Sequence, residues 1–181
     1  MADESPPLVR TFNFRVRLFR SAPGDAEGAA DAPRARDDLP SSGDPLGDGG
    51  FQECSGLGVE MDVQEYLEGG RNDGVIKRVG RAKVQPLVLK RGMFFERGEL
   101  ANDDLWRWLE DVVSGVRPVA RYDGIVEVLD DTGEDAVARW VFDRGLPMKI
   151  AGPLLNARTG EIAIEELHIA HEGLRLARGT P

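Results

Sequence analysis

The chain holds few side chains able to do chemistry, and their spacing excludes most of it. His168 and His171 are its two histidines. On a strand, a spacing of three points them to opposite faces, the wrong geometry for a shared metal. On a helix they would align, but no further Cys or His exists to complete a ligand set. Cys54 is the single cysteine, so there is no internal disulfide and no CxxC metal site. It has no neighbouring His or Lys to stabilise a thiolate and reads as a packed, inert thiol. Ser55 lies in CSGLG rather than GxSxG. Gly56-Leu57-Gly58 lacks the GxxG-helix context of a dinucleotide loop, and GxxxxGK[ST] is absent. Glu165 and Glu166 are adjacent, and adjacent strand residues face opposite ways. These residues predict no catalytic group, no cofactor and no metal.

Composition narrows the class further. The 181 residues are 41% hydrophobic and 30% charged, enough for the core of one domain. No run of 18 or more apolar residues exists, which excludes a transmembrane helix. The start, MADESPPLVR, is acidic and has no apolar stretch, so neither a secretory leader nor a membrane anchor is expected. A net charge of −9 argues against specific nucleic-acid binding. The acidity is concentrated in residues 21–50, which hold seven acidic and two basic residues, four prolines, six glycines and six alanines. Only Leu39 and Leu46 are large and apolar there. Such a stretch cannot offset its ordering entropy, and it predicts a flexible insertion, spacer or docking element, within a single domain spanning 1–181.

The elements follow from periodicity. Residues 11–19, TFNFRVRLF, alternate apolar and polar as a half-buried strand does. Leu57, Val59, Met61 and Val63 predict a second strand of the same kind. EGGRNDG at 68–74 predicts a turn or extended loop. AKVQPLVLK at 82–90 predicts a strand in which Pro86 marks an edge or a bulge. DDLWRWLEDVVS at 103–114 predicts the single helix, capped by Asn102 or Asp103 and stopped by Gly115. Residues 119–129 and 136–142 predict a hairpin around DDTGED, and Leu146-Pro147 and Gly152-Pro153 punctuate an irregular stretch after it. EIAIEELHIAH at 161–171 shifts its apolar phase once, as a bulge at Glu165-Glu166 would make it do, with a terminal helix as the competing form. The sum is a mainly β chain with one helix: an antiparallel two-sheet β-sandwich or barrel flanked by that helix.

Several segments, taken in order, carry more. Phe51-Gln-Glu-Cys-Ser-Gly-Leu57 is followed by Glu65-Tyr66, by Glu68-Gly69-Gly70 and Asn72, and by Lys77 and Gly80. Leu89-Lys90-Arg91-Gly92, Leu105-Trp106-Arg-Trp108 and Ala138-Arg-Trp140 come next. Pro147-Met-Lys149, Gly152-Pro-Leu-Leu-Asn156-Ala, Ala163-Ile-Glu165-Glu-Leu167 and His171-Glu-Gly173-Leu174 complete the series. In this order the chain resembles the tail tube proteins of contractile phages and of related extracellular contractile injection systems, the T4-type tail tube family.

The resemblance implies a structural subunit with no enzymatic activity. Six copies would form a ring, and rings would stack into an inner tube around a lumen for cargo or DNA. Sheath, baseplate and spike proteins would be its partners. It would be assembled in the bacterial cytoplasm and end in a phage tail or a released injection particle. Glu68, Gly69, Gly70 and Asn72 match the family's extended loop, which reaches neighbouring subunits. Trp106 and Trp108 match the helix's tryptophans, and two residues apart one would be core and the other partly interfacial. The chain departs from the family at Leu67, often Arg, in the 21–50 insertion, and in a longer MFFERGELANDD. A baseplate-proximal tube initiator of the same family is the alternative these departures raise. From a different class, a monomeric β-barrel module would use the acidic loop to bind a basic partner.

Overall fold

The computed structural model describes residues 8–21, 46, 50–67 and 74–177. These form β1 (Phe14–Arg20), β2 (Phe51–Ser55), β3 (Val59–Tyr66), β4 (Ile76–Val84), β5 (Leu87–Gly92), α1 (Asp104–Val113), β6 (Tyr122–Leu129), β7 (Ala136–Ala151), β8 (Ile164–Ala170) and β9 (Gly173–Leu176). The described residues are mainly β with a single helix, and their strand pairings are antiparallel. The 21–50 insertion falls outside the described residues apart from Ser21, Leu46 and Gly50.

β7 organises the body. Its first part pairs with β6 and β9, with β1 beyond β6; its second part, from Leu146 on, pairs with β8, followed by β5 and β2. One long strand therefore runs through two layers. It turns from one to the other at Arg144, whose φ of 54° is left-handed. The turn is held from both sides: the Arg144 N–H donates to Asp123 Oδ1 at 2.8 Å, and its carbonyl accepts from Arg121.

The core lies between the layers. Leu18 from β1 and Phe142 from β7 meet Leu87 and Leu89 from β5, Leu167 and Ile169 from β8, and Leu105 and Trp108 from the helix. Gly124 is required opposite Phe142, because a Cβ there would lie 2.0 Å from the ring. The helix stripe is Leu105 and Trp108, fully buried, with Leu109 and Val112 half-buried beside them. Asp103 begins the helix without a side-chain cap; its carboxylate binds Arg107 one turn on, at 2.9 Å.

Three stretches differ from their periodicity. The alternation of 82–90 spans two strands rather than one: β4 ends at Val84, β5 begins at Leu87, and Pro86 sits in the connection, where no ladder donor is needed. The proline-punctuated stretch from 146 is regular; β7 continues to Ala151 and takes up Pro147 through a register shift before Lys149. Residues 164–170 form a strand, not a helix, and pair with β5 without a break at Glu165-Glu166. The apparent phase shift has another cause: Glu165 occupies an inward position in line with Leu167 and Ile169. Gly124→Ala is expected to lower stability by about 1–3 kcal/mol through overpacking against Phe142, seen as a lower urea midpoint at unchanged slope.

Candidate assembly surface

Two buried charges explain Glu165. Arg91 of β5 and Glu165 of β8 are each about 1% exposed, and Arg91 Nε donates to Glu165 Oε1 at 2.5 Å. Trp106 Nε1 donates to the other carboxylate oxygen at 2.9 Å, and Arg91 Nη2 donates to Asn102 Oδ1 at 3.0 Å. The guanidinium also lies over the Phe94 ring. The pair thus clasps β5, β8, the start of the helix and the loop before it. Removing one partner would strand the other as a buried, uncompensated charge.

A second polar hub lies on the outer face of β1, β6 and β7. Glu127 is buried beneath three half-exposed arginines: Arg15 and Arg17 donate to Oε2 and Arg139 to Oε1, at 2.7–3.0 Å. Burial alone would raise this carboxyl's pKa. Hydrogen bonds from Arg15 and Arg139, with the charges of Arg17 and Arg139, outweigh it and hold the group below the ordinary glutamate value. Ile125 and Val141, which alternation places on the same face, are buried as well.

β3 and β4 stand apart. They pair with each other and with no other strand among the described residues, so both outer edges of the ribbon are unpaired. The ribbon is two-faced. Val59, Met61 and Val63 share one side, opposite Val84, Ala82 and Val79. The other side is polar, with Lys83 on Asp62 at 2.9 Å, Gln85 on Glu60 at 2.7 Å and Arg78 over Tyr66. β4 carries one extra residue at Gly80–Arg81, where Gly80 lets the backbone close on Asp62. The sequence predicts that β3 is half-buried; instead every residue of it is exposed within one chain.

The ribbon's neck is tight. Gly56, at φ 87°, passes so close to Pro86 that a Cβ would lie 2.1 Å from its carbonyl oxygen. His171 bridges this neck to the body, its ring nitrogens 3.0 Å from the carbonyl oxygens of Gln85 and Gly173. His168 points elsewhere, to Glu166. Cys54 packs against the core, and burial pushes its thiol pKa up to about 12, which keeps it protonated at neutral pH. Among the described residues no group of three His, Cys, Asp or Glu could hold a metal, and no helix is long and apolar enough to cross a membrane.

The family model for T4-like virus tail tube protein gp19 matches residues 10–175. The chain belongs to this tail tube family. No curated protein sequence matches it. Among solved structures, a chain of the anti-feeding prophage baseplate is 20% identical with a TM-score of 0.69, over 96% of this chain and 97% of that one. A chain of the PVC extracellular contractile injection system sheath-tube complex is 19% identical, TM-score 0.65, over 97% and 93%. A chain of the anti-feeding prophage tube-terminating cap is 16% identical, TM-score 0.68, over 97% and 98%. At these identities the likeness is one of fold.

Of the residues that the family resemblance singles out, Glu68, Gly69, Gly70 and Asn72 lie outside the described residues. Trp108 is buried; its Nε1 donates to the Ala120 carbonyl at 2.9 Å and its ring meets Tyr122 edge-on at 4.7 Å. Trp106 is half-buried on Glu165. Arg91 and Glu165 lie within the family-like segments, but no pattern in the sequence links residues 74 positions apart.

Two outcomes follow. Glu165→Ala is expected to cost about 3–5 kcal/mol, measured by chemical denaturation. Glu127, with its depressed carboxyl, stabilises the fold above the ordinary glutamate range, and this contribution fades as pH falls through the folded-state value. Glu127→Gln should therefore be less stable at neutral pH, and its melting temperature should drop less than wild type's between neutral and about pH 3.

Proposed function

We propose that this protein is an inner-tube subunit of a contractile phage tail or extracellular contractile injection system. Six copies form a ring, and rings stack around a lumen that passes cargo or DNA. Sheath surrounds the tube, and baseplate and spike proteins terminate it. On this reading the subunit is assembled in the bacterial cytoplasm, leaves in the finished particle and catalyses nothing. Glu68, Gly69, Gly70 and Asn72, at the far end of the ribbon in sequence, reach neighbouring subunits.

The observation that carries this reading is the β3–β4 ribbon. Two strands with free edges and an open apolar face are a hazard in a monomer. In a tube they become the joint, because each free edge can extend a neighbour's sheet and the apolar face can be covered by another copy. Family membership supports the same conclusion independently. Among the described residues β2 and β9 carry no further strand on their outer edges, which fits a subunit whose sheets are completed by sister copies.

Purified protein is expected to form rings and tubes in negative-stain microscopy. A monomer that persists at high concentration would overturn the proposal. Val63→Asp with Val79→Asp places two charges on the ribbon's apolar face. It should abolish assembly while leaving the melting temperature of the body within a few degrees of wild type, since neither side chain belongs to the core.

A further inference from the structure

The outer face of β1, β6 and β7 gathers more positive charge than it neutralises. Arg15 stands opposite Glu127 across one ladder and Arg139 stands opposite it across the next, with Arg17 two residues along β1. Three guanidinium groups thus share one buried carboxylate. Glu127 Oε2 accepts two hydrogen bonds from Arg15 and one from Arg17, so it has little capacity left. Arg17 spends one of its five N–H groups on that bond, and its side chain is 43% exposed. The other carboxylates at this face are engaged elsewhere. Asp123 accepts from the Ser21 hydroxyl and the Arg144 N–H, and Asp143 pairs with Arg175. The surplus stays at Arg15, Arg17 and Arg139.

The acidic insertion leaves and rejoins the body beside the same strand. Ser21 follows β1 directly; its N–H donates to the Arg121 carbonyl at 2.8 Å and its hydroxyl to Asp123 at 2.9 Å. At the returning end, the Leu46 N–H donates to the Leu18 carbonyl at 3.0 Å, and Leu46 packs against the core. Between these two anchors lie residues 22–45, outside the described residues. They carry Asp25, Glu27, Asp31, Asp37, Asp38 and Asp44 against Arg34 and Arg36. Reach is not limiting. The span from Leu46 back to Asp38 allows up to roughly 26 Å of extended chain, and Arg15 lies three residues, about 10 Å, along β1 from Leu18.

We propose that Arg15, Arg17 and Arg139 form the docking surface for the acidic insertion of the same chain. Charge complementarity and the position of both anchors favour this occupant. Exposed ion pairs are weak one at a time. A segment tied to the body at both ends meets the arginines at a high effective concentration, so several weak pairs suffice to hold it. The inference concerns a single copy and goes beyond the tube reading, from which it is independent.

The test digests the intact chain with trace trypsin and follows the first cut at Arg34 or Arg36 by mass spectrometry. A synthetic peptide of residues 21–46 gives the undocked rate. Docking predicts that the chain is cut several-fold more slowly than the peptide in low salt, and that the gap closes in about 0.5 M NaCl, where surface charges are screened. Arg17→Gln leaves the cut sequence unchanged and should raise the low-salt rate several-fold. Glu127→Gln removes the carboxylate that competes for the three arginines and should slow the cut further. A cut that merely followed a loosened fold would speed up in that variant. Cleavage of wild type at the peptide's rate, no response to Arg17→Gln, or a faster cut in Glu127→Gln overturns the proposal. Protection that grows with protein concentration gives the face to a sister copy's insertion and overturns the same-chain assignment. Ring formation is scored separately, so failure here leaves the tube reading standing.

Discussion

A two-stranded ribbon has no second layer of its own, and that constraint governs this molecule. β3 and β4 satisfy each other's backbone along one edge and leave the other two edges to solvent. Their polar face is supplied locally, by Lys83 on Asp62 and Arg78 over Tyr66, contacts of roughly 0.2–1 kcal/mol each. Among the described residues their apolar face has no such supply. An isolated hairpin of this kind is at best marginal in water. The alternation of Val59, Met61 and Val63 is nonetheless that of a buried strand. The described residues supply no cover for it, which is why the pattern misleads when read as core.

The body solves the opposite problem, that of closing a core between its own layers. Apolar packing fills the space between the layers, but the junctions are made by charges. Arg91 and Glu165 tie the helix entry to two strands, and Glu127 gathers three arginines across the outer face of three others. Neither arrangement is a cheap source of stability, since desolvation offsets much of the Coulomb gain. Both are directional, however. A guanidinium shared between a carboxylate and an amide oxygen fixes angles that leucines leave free. At these junctions direction matters more than net energy.

The same distinction explains what was legible in the sequence. β1, the helix and the β6–β7 hairpin could be read because their periodicity is local and their burial lies within the chain. β2, at five residues with Gln52, Glu53 and Ser55 among them, is too short and polar to signal itself. β4 and β5 merged because only Gln85 and Pro86 separate two β-prone runs, Ala82 to Val84 and Leu87 to Leu89, and so short a connection carries no turn signal of its own. β8 seemed to slip because a carboxylate stands at a core position, and only its partner, on a strand far away in sequence, makes that position acceptable. The ordered motifs named the family, yet no spacing rule brings Arg91, Trp106 and Glu165 together. Their convergence is tertiary.

Folding and assembly are separable in such a design. The buried core, from Leu18 to Ile169, is complete without the ribbon's outward valines. The packing of the body therefore does not depend on the ribbon. What connects the two is the neck, where Gly56 crosses Pro86 and His171 holds the Gln85 carbonyl. A slack neck would let the ribbon sample many directions, and each docking event would then lose that freedom. A tight one passes the body's orientation to the ribbon. The backbone contact at Gly56, too close for any side chain, thus sets the direction of the ribbon through geometry rather than through stability.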